Sequence, residues 1–208
     1  DIYAKDKNVI VIGGGDTGSD CIGTSNRQGA KSVMQFELMD KPDISRGIYN
    51  PWPEWPLVLR TSSSHEEGVD RNWSILTKSF IGDDNGNISG LKTVKVNWED
   101  GKFNEVPNTE KIYPCDLVLI AIGFAHTEKE GLLSQLNISL HKNGNVNANN
   151  YQTNLEKVFT AGDMRRGQSL VVWAIQEGRE AARAVDESLS GKSSLASKGQ
   201  SGYELKPF

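Results

Sequence analysis

The chain has 208 residues, of which 37% are hydrophobic and 24% charged, and a formal net charge of −4. This length suffices for one large or two small domains with a buried core. The weak negative charge disfavours a general nucleic-acid-binding or anionic-membrane surface. The longest apolar run, near residue 120, is far too short to span a bilayer, so we expect no nucleic-acid or membrane partner.

The first predicted element is a buried strand that runs directly into a glycine-rich turn and a helix, with the sequence NVIVIGGGDTGSD from residue 8. One glycine would make the turn, one would admit a pyrophosphate and one would let the helix pack on the strand. The helix N-terminus attracts phosphate. Alone this pattern is weak evidence for a nucleotide site, because glycine-rich turns between a strand and a helix also occur for steric reasons. It predicts a dinucleotide site formed by Gly13, Gly14, Gly15, Asp16, Thr17 and Gly18.

A strand–helix–strand unit follows from the next segments. Residues 16–28 form an amphipathic helix closed by Gly29, and residues 32–37 form a second strand. Glu37 at its end could accept hydrogen bonds from the adenosine ribose hydroxyls and would repel a 2′-phosphate. We therefore favour NADH, with NADPH left open; a solvated strand-end glutamate is the alternative interpretation of Glu37.

Residues 40–56 are expected to form a long loop, because four prolines forbid a continuous helix or central strand. Its tryptophans, Trp52 and Trp55, either dock a partner or pack on the chain's own surface. His65 follows in a short helix beside two glutamates. We interpret it as a surface residue rather than a catalyst or metal ligand.

From residue 73 to 104 the alternating pattern predicts antiparallel strands with hairpin turns. We expect this β meander to lie across the edge of the parallel sheet and to be structural. Residues 115–124 then return as an apolar strand, buried on both faces. At its end the small or apolar residues Ala121, Ile122 and Gly123 would let a nucleotide lie close to the backbone.

Cys21 and Cys115 are the two cysteines, and they form no C-x-x-C pair. Their positions on a helix face and at the start of an apolar strand predict buried thiols. The lack of a redox pair in this sequence disfavours a disulfide reductase, and no metal site is predicted.

We place a domain boundary after residue 125, so that residues 1–125 and 126–208 form separate domains. The second contains a polar connector to residue 150, a strand at 157–161, and the dipeptide Gly162–Asp163 followed by a basic turn. A helix spans 168–189, with Val172 and Ile175 on its predicted apolar face and Glu177 elsewhere. Gly191 and a loose tail end it.

Two motifs together resemble the glutamate synthase small subunit or β-domain: residues 13–21 resemble its pyridine-nucleotide motif, and residues 158–175 its closing flavin motif. The similarity extends from Lys7 to about Leu189. Residues 50–56, with Glu37, resemble the NADH-type, eukaryote-like enzymes most. The chain starts at Asp1 without a methionine, which we interpret as the start of a fragment.

The resemblance implies a flavoprotein whose NAD(P)H domain is inserted into an FAD domain. The fold class would be α/β: a Rossmann-like parallel sheet with an antiparallel meander, followed by the C-terminal part of the FAD domain. Gly162 and Asp163 would bind the ribityl-pyrophosphate region of FAD, and Gln168, Ser169 and Leu170 would lie by the isoalloxazine.

The same resemblance implies the partners. The opening FAD motif and the cysteines of the [4Fe-4S] clusters lie upstream in the family, so the remainder of the flavoprotein would supply them. The electrons would pass to a large subunit or α-domain that makes glutamate from glutamine and 2-oxoglutarate, in the cytoplasm or a plastid.

Hydride would pass from NADH to FAD. Since ring positioning does most of the work, we assign no catalytic side chain. The alternative function is a non-catalytic NAD(H)-binding or scaffold domain.

Overall fold

A computed structural model of the chain describes residues 2–48 and 58–197. The chain divides into two compact units, residues 1–122 and 123–208. The elements of the first unit are β1 (Asn8–Ile12), α1 (Asp16–Arg27), β2 (Ser32–Phe36), α2 (Ser63–Glu66), β3 (Asp70–Asn72), β4 (Ile75–Gly82), β5 (Ile88–Glu99), β6 (Lys102–Glu105), β7 (Lys111–Pro114) and β8 (Leu117–Ile120). Those of the second unit are α3 (Leu132–Gln135), α4 (Asp163–Arg166) and α5 (Val171–Ser190).

The first unit is built on a four-stranded parallel sheet with the order β3-β2-β1-β8. In register, Val9 of β1 faces Val33 of β2 on one side and Leu117 of β8 on the other. The predicted strand–helix–strand unit is confirmed, since α1 connects two adjacent parallel strands. All four carboxyl ends therefore meet at one edge of the sheet, where α/β proteins bind their ligands.

A second, antiparallel sheet contains β4, β5, β6 and β7. Alternation along β1 directs Val9 and Val11 toward Ile22 of α1, whereas Ile10 packs on the other side with Ile75 and Leu91 of the antiparallel sheet. The meander thus covers a face of the parallel sheet, and its predicted place across the edge is wrong. The second face of a parallel sheet needs apolar cover, and these strands provide it.

The predicted apolar strand at 115–124 is shorter and less buried than expected. In the described part of the chain, β8 pairs with β1 alone and is an edge strand. Ile120 is 62% exposed, and Ile122 and Phe124 are also exposed. The prediction of burial on both faces is wrong, because an edge strand receives side-chain cover from one neighbour only.

The second unit has its own core of Leu133, Ile138 and Val146. The expected strand at 157–161 is reduced to an isolated bridge between Gln152 and Phe159. The long final helix is confirmed as α5, and it ends at Gly191, which has the left-handed φ of +74°.

The orientation of α5 is the reverse of the prediction. Glu177 is only 4% exposed, whereas Val172 and Ile175 are 54% and 58% exposed. Helical periodicity identifies a stripe of apolar residues, but it does not reveal that a buried carboxylate on another stripe has a half-buried cationic partner.

His65 is buried, so its predicted position at the surface is wrong. It lies in α2, where its Nδ1 accepts a hydrogen bond from the Ser62 backbone N–H (3.1 Å) and lies 2.9 Å from the Ser62 hydroxyl. That hydroxyl lies 2.5 Å from the Ser19 hydroxyl of α1. His65 therefore closes a capping box that connects α2 to the first turns of α1. Trp52 and Trp55 lie outside the described residues.

Burial, followed by the positive charge of Arg71, lowers the pKa of His65 below its ordinary 6.5. A lowered pKa means that the folded state prefers the neutral ring, so stability present above pH 6.5 is lost as the pH falls through the folded-state pKa. We expect His65→Gln to reduce this loss, because glutamine can keep the capping box and does not titrate. Urea unfolding of the wild type and the variant at pH 7.5 and 5.5 measures the loss of stability between the two pH values. An unchanged pH dependence in the variant would contradict this role.

Candidate functional site

The glycine turn after β1 is fixed by close backbone packing. Gly13 has a φ of +119°, and a Cβ at this position would overlap the Ala121 backbone carbonyl. A Cβ at Gly18 would overlap the carbonyl oxygen of Gly13. These two glycines therefore make the turn and allow α1 to approach β1, and they bring the backbone of Ala121, one of the predicted nucleotide-site residues, to the turn.

Gly15 has a different environment, since nothing lies within 4 Å of the position that a Cβ would occupy. It is the N-cap of α1, and no side chain caps the helix there. Asp16 and Thr17 of the first turn are exposed. The first N–H groups of a helix have no intrahelical acceptor, so this end presents an open backbone surface to an anion.

Glu37 lies over the turn. A Cβ at Gly14 would overlap a carboxylate oxygen of Glu37. The Glu37 backbone is held by two hydrogen bonds, from its N–H to the Asn72 carbonyl and from the Ile75 N–H to its own carbonyl, 2.9 and 3.0 Å long. The structure therefore brings an acidic side chain from the end of β2 against the glycine backbone.

Gln35 is a site residue that the sequence analysis missed. It is 2% exposed, and its amide Nε2 donates to the Gly13 carbonyl over 2.9 Å. Arg71 Nε in turn donates to Gln35 Oε1 over 3.2 Å. A polar residue between Met34 and Phe36 in a buried strand was the available signal, because such an amide requires a buried partner.

The second unit contains the other candidate turn. Gly162 and Gly167 have φ values of +69° and +91° and bracket α4. The Ser169 hydroxyl donates to an Asp163 carboxylate oxygen over 3.4 Å. A Cβ at Gly123 would lie 3.2 Å from the side-chain nitrogen of Gln168. Gly123 therefore lies next to Gln168, one of the residues of the predicted flavin motif.

A depression of about 410 Å³ lies at the N-terminus of α5. Three of the predicted flavin-contacting residues line it together with a cation and an indole: Gln168, Ser169, Leu170, Arg166 and Trp173. Nothing lies within 4 Å of the position that a Cβ at Gly162 would occupy. The turn and the helix start therefore leave room for a bound group.

The two cysteines pack on opposite faces of the parallel sheet. Cys115 is buried with Ile10 and Phe36, as predicted. Cys21 of α1 is only half-buried and packs on the cluster between α1 and the sheet. Burial, and then a neighbouring aspartate in each case, raises the pKa of both thiols.

Within residues 2–48 and 58–197 no cluster of three or more His, Cys, Asp or Glu side chains could hold a metal. No helix in the same ranges is long and apolar enough to cross a membrane.

A glycine turn after the first strand of a parallel sheet, with an acidic residue at the end of the second strand, is the arrangement of dinucleotide-binding α/β proteins. The family described as pyridine nucleotide-disulphide oxidoreductase matches residues 2–178. The chain belongs to that family.

Named relatives of the chain are glutamate synthases, in agreement with the resemblance of its two motifs to that family. The chain is 50% identical over 207 residues to the glutamate synthase [NADPH] small chain of Bacillus subtilis, covering 93% of this chain and 42% of that protein. It is 49% identical over 195 residues to the same-named protein of Mycobacterium tuberculosis, with coverages of 93% and 40%. Glutamate synthase [NADH] of Schizosaccharomyces pombe is 44% identical over 211 residues, with coverages of 95% and 10%.

The chain thus spans about two fifths of the bacterial small chains and a tenth of the yeast protein. Of these three relatives, the two named for NADPH are 49–50% identical to the chain and the one named for NADH is 44% identical. The preference for NADH therefore stays a prediction from Glu37. A solved thioredoxin reductase from Gloeobacter violaceus superposes with a TM-score of 0.48 at 15% identity, covering 93% of this chain and 53% of its own.

The environments of Gly18 and Gly15 predict a large effect of alanine on stability at Gly18 and a small one at Gly15. Gly18→Ala should lower the free energy of unfolding by about 2 kcal/mol or more, because the added methyl group overlaps the Gly13 carbonyl. Gly15→Ala should change it by less than about 1 kcal/mol, because its surroundings are open. Urea denaturation compares the two variants. Equal effects on stability would contradict the assignment of one glycine to packing and the other to an open surface.

Proposed function

We propose that the chain is the electron-input part of an NAD(P)H-dependent flavin oxidoreductase of the glutamate synthase type. The first unit would bind the nicotinamide nucleotide, and the second would form the C-terminal part of the FAD-binding domain. The observation that carries the proposal is the Glu37 carboxylate against Gly14, next to the open backbone of Gly15. The two features match the two polar parts of an adenosine dinucleotide, a ribose and a pyrophosphate.

In this proposal the start of α1 faces the pyrophosphate. Gly15 offers its unobstructed backbone, and the partial positive charge of the helix N-terminus stabilises the phosphate oxygens. Glu37 accepts hydrogen bonds from the two ribose hydroxyls. Its negative charge opposes a 2′-phosphate, which favours NADH over NADPH.

The second unit would hold part of FAD, whose ring accepts hydride from the nicotinamide. Gly162 and Asp163 would contact its ribityl-pyrophosphate region, and Gln168, Ser169 and Leu170 would lie by the isoalloxazine. The lining of the depression by the last three residues supports this assignment. The N-terminus of α5 would favour the negative charge of the reduced ring.

The proposed partners are the remainder of the flavoprotein and a glutamate synthase large subunit or α-domain. Exposed apolar side chains on β8 and α5, among them Ile120 and Ile175, support packing against further protein. The [4Fe-4S] clusters would be held by other sequence, and the whole enzyme would make glutamate from glutamine and 2-oxoglutarate. A cytoplasmic or plastid location is part of the same proposal.

Two measurements test this function. Calorimetry should show that the wild-type protein binds NADH and that Gly15→Ala binds it more weakly. In the full-length flavoprotein, addition of NADH without oxygen should bleach the flavin absorbance. Binding without bleaching would favour the non-catalytic NAD(H)-binding or scaffold domain. Absence of both would overturn the proposal.

The coenzyme preference depends on Glu37. Glu37→Arg should shift the ratio of NADPH to NADH affinity toward NADPH by about tenfold or more, because a carboxylate is replaced by a cation beside the ribose. Glu99→Arg changes the net charge equally on an exposed residue of the antiparallel sheet and serves as the matched control. An unchanged ratio in Glu37→Arg would remove Glu37 from the site.

A further inference from the structure

We propose that Glu177 is a positioning residue of the flavin site, which holds the turn at 162–167 against α5. This inference rests on the proposed function, because it assumes that the second unit binds FAD. The two segments assigned to FAD, Gly162–Asp163 and Gln168–Leu170, are otherwise connected by the turn itself and by the hydrogen bond from the Ser169 hydroxyl to Asp163, which is 3.4 Å long.

The Glu177 carboxylate is the point where the turn meets α5. Arg165 donates to it twice, from Nε to Oε2 over 2.6 Å and from Nη2 to Oε1 over 2.5 Å. The backbone N–H of Gly162 also helps to lower the pKa of this carboxylate. One side chain of α5 therefore holds Arg165 in the middle of the turn through two hydrogen bonds.

Neighbouring groups complete this cluster. The Tyr151 hydroxyl donates to Glu177 Oε1 over 3.4 Å, and the Arg165 guanidinium lies 4.5 Å from the centre of the Tyr151 ring. Arg166 Nη1 lies 4.0 Å from the same carboxylate oxygen, and its guanidinium lies 4.1 Å from the Trp173 ring centre. Since Arg166 and Trp173 line the depression, the carboxylate also orders its wall.

The position of Glu177 explains why it can act at a distance. It lies in a continuous helix that starts at Val171, directly after Gln168–Leu170. A helix is rigid over this length, so fixing the turn to Glu177 also fixes it to the helix start. The glycines at both ends of the turn have positive φ values. Because glycine is conformationally permissive, contacts from outside the turn are needed to hold it in one conformation.

A buried carboxylate in the middle of a helix requires compensation. Burial by itself raises the pKa of Glu177. The hydrogen bonds and charge of Arg165, then the charge of Arg166 and the Gly162 N–H, lower it by more than burial raises it, so the pKa lies below its ordinary value. The carboxylate is therefore charged at neutral pH and serves as an acceptor. Loss of either partner leaves the other charge unpaired.

The test is made in the full-length flavoprotein that contains this chain. Glu177→Gln removes the charge and keeps the shape. We expect its FAD dissociation constant to rise about tenfold or more, since hydrogen bonds to a charged group are lost. The visible circular dichroism of bound flavin should also change, because the ring environment shifts, while NADH affinity should stay within about twofold, which corresponds to under 0.5 kcal/mol.

Glu187→Gln is the matched control, because it breaks another ion pair of α5, that with Arg183 (2.7 Å), far along the helix from the turn. It should bind FAD like the wild type. Arg165→Gln tests the same contact from the turn, and the double variant with Glu177→Gln should weaken FAD binding less than the sum of the two single changes. If Glu177→Gln does not fold, the FAD dissociation constant of Arg165→Gln, compared with that of Glu187→Gln, tests the positioning role.

The outcomes separate this inference from the proposed function. A wild-type protein that binds no FAD overturns the proposed function. A wild-type protein that binds FAD, with Glu177→Gln or Arg165→Gln indistinguishable from Glu187→Gln, overturns the positioning role alone. Additive effects of the two changes would likewise contradict a shared contact.

Discussion

The architecture of the first unit depends on the close backbone packing of the turn after β1. Gly18 brings α1 against the carbonyl of Gly13, and Gly13 brings the turn against Ala121 at the end of β8. Gln35 holds the same carbonyl from β2. Three parallel strands and a helix therefore meet at one backbone segment, and any side chain larger than hydrogen there would push them apart.

The second unit uses a different interaction for the same purpose. Its turn contacts α5 through the Glu177 carboxylate, and its own apolar core around Leu133 lies elsewhere. A salt bridge of this kind contributes less to stability than apolar packing of similar volume, but it fixes geometry because its hydrogen bonds are directional. This is why we assign it a positioning role toward a bound group.

Apolar surfaces remain on both units. Ile120 at the β8 edge and Ile175 on α5 are exposed, while the antiparallel sheet completes the core on one face of the parallel sheet. The chain spans about two fifths of its bacterial relatives. These exposed side chains are consistent with the proposal that more of a flavoprotein packs here.

The sequence by itself determined the local elements and the glycine turn, because strand periodicity, helix caps and glycine spacing act over a few neighbouring residues. It identified α1, β2 and α5 in this way. The role of Glu37, which follows β2, stays a prediction. Only the tertiary structure decided which face each element buries. The placement of the meander, the edge position of β8 and the burial of Glu177 depend on contacts between residues distant in sequence, and a buried charge is satisfied by a partner that no periodicity reveals.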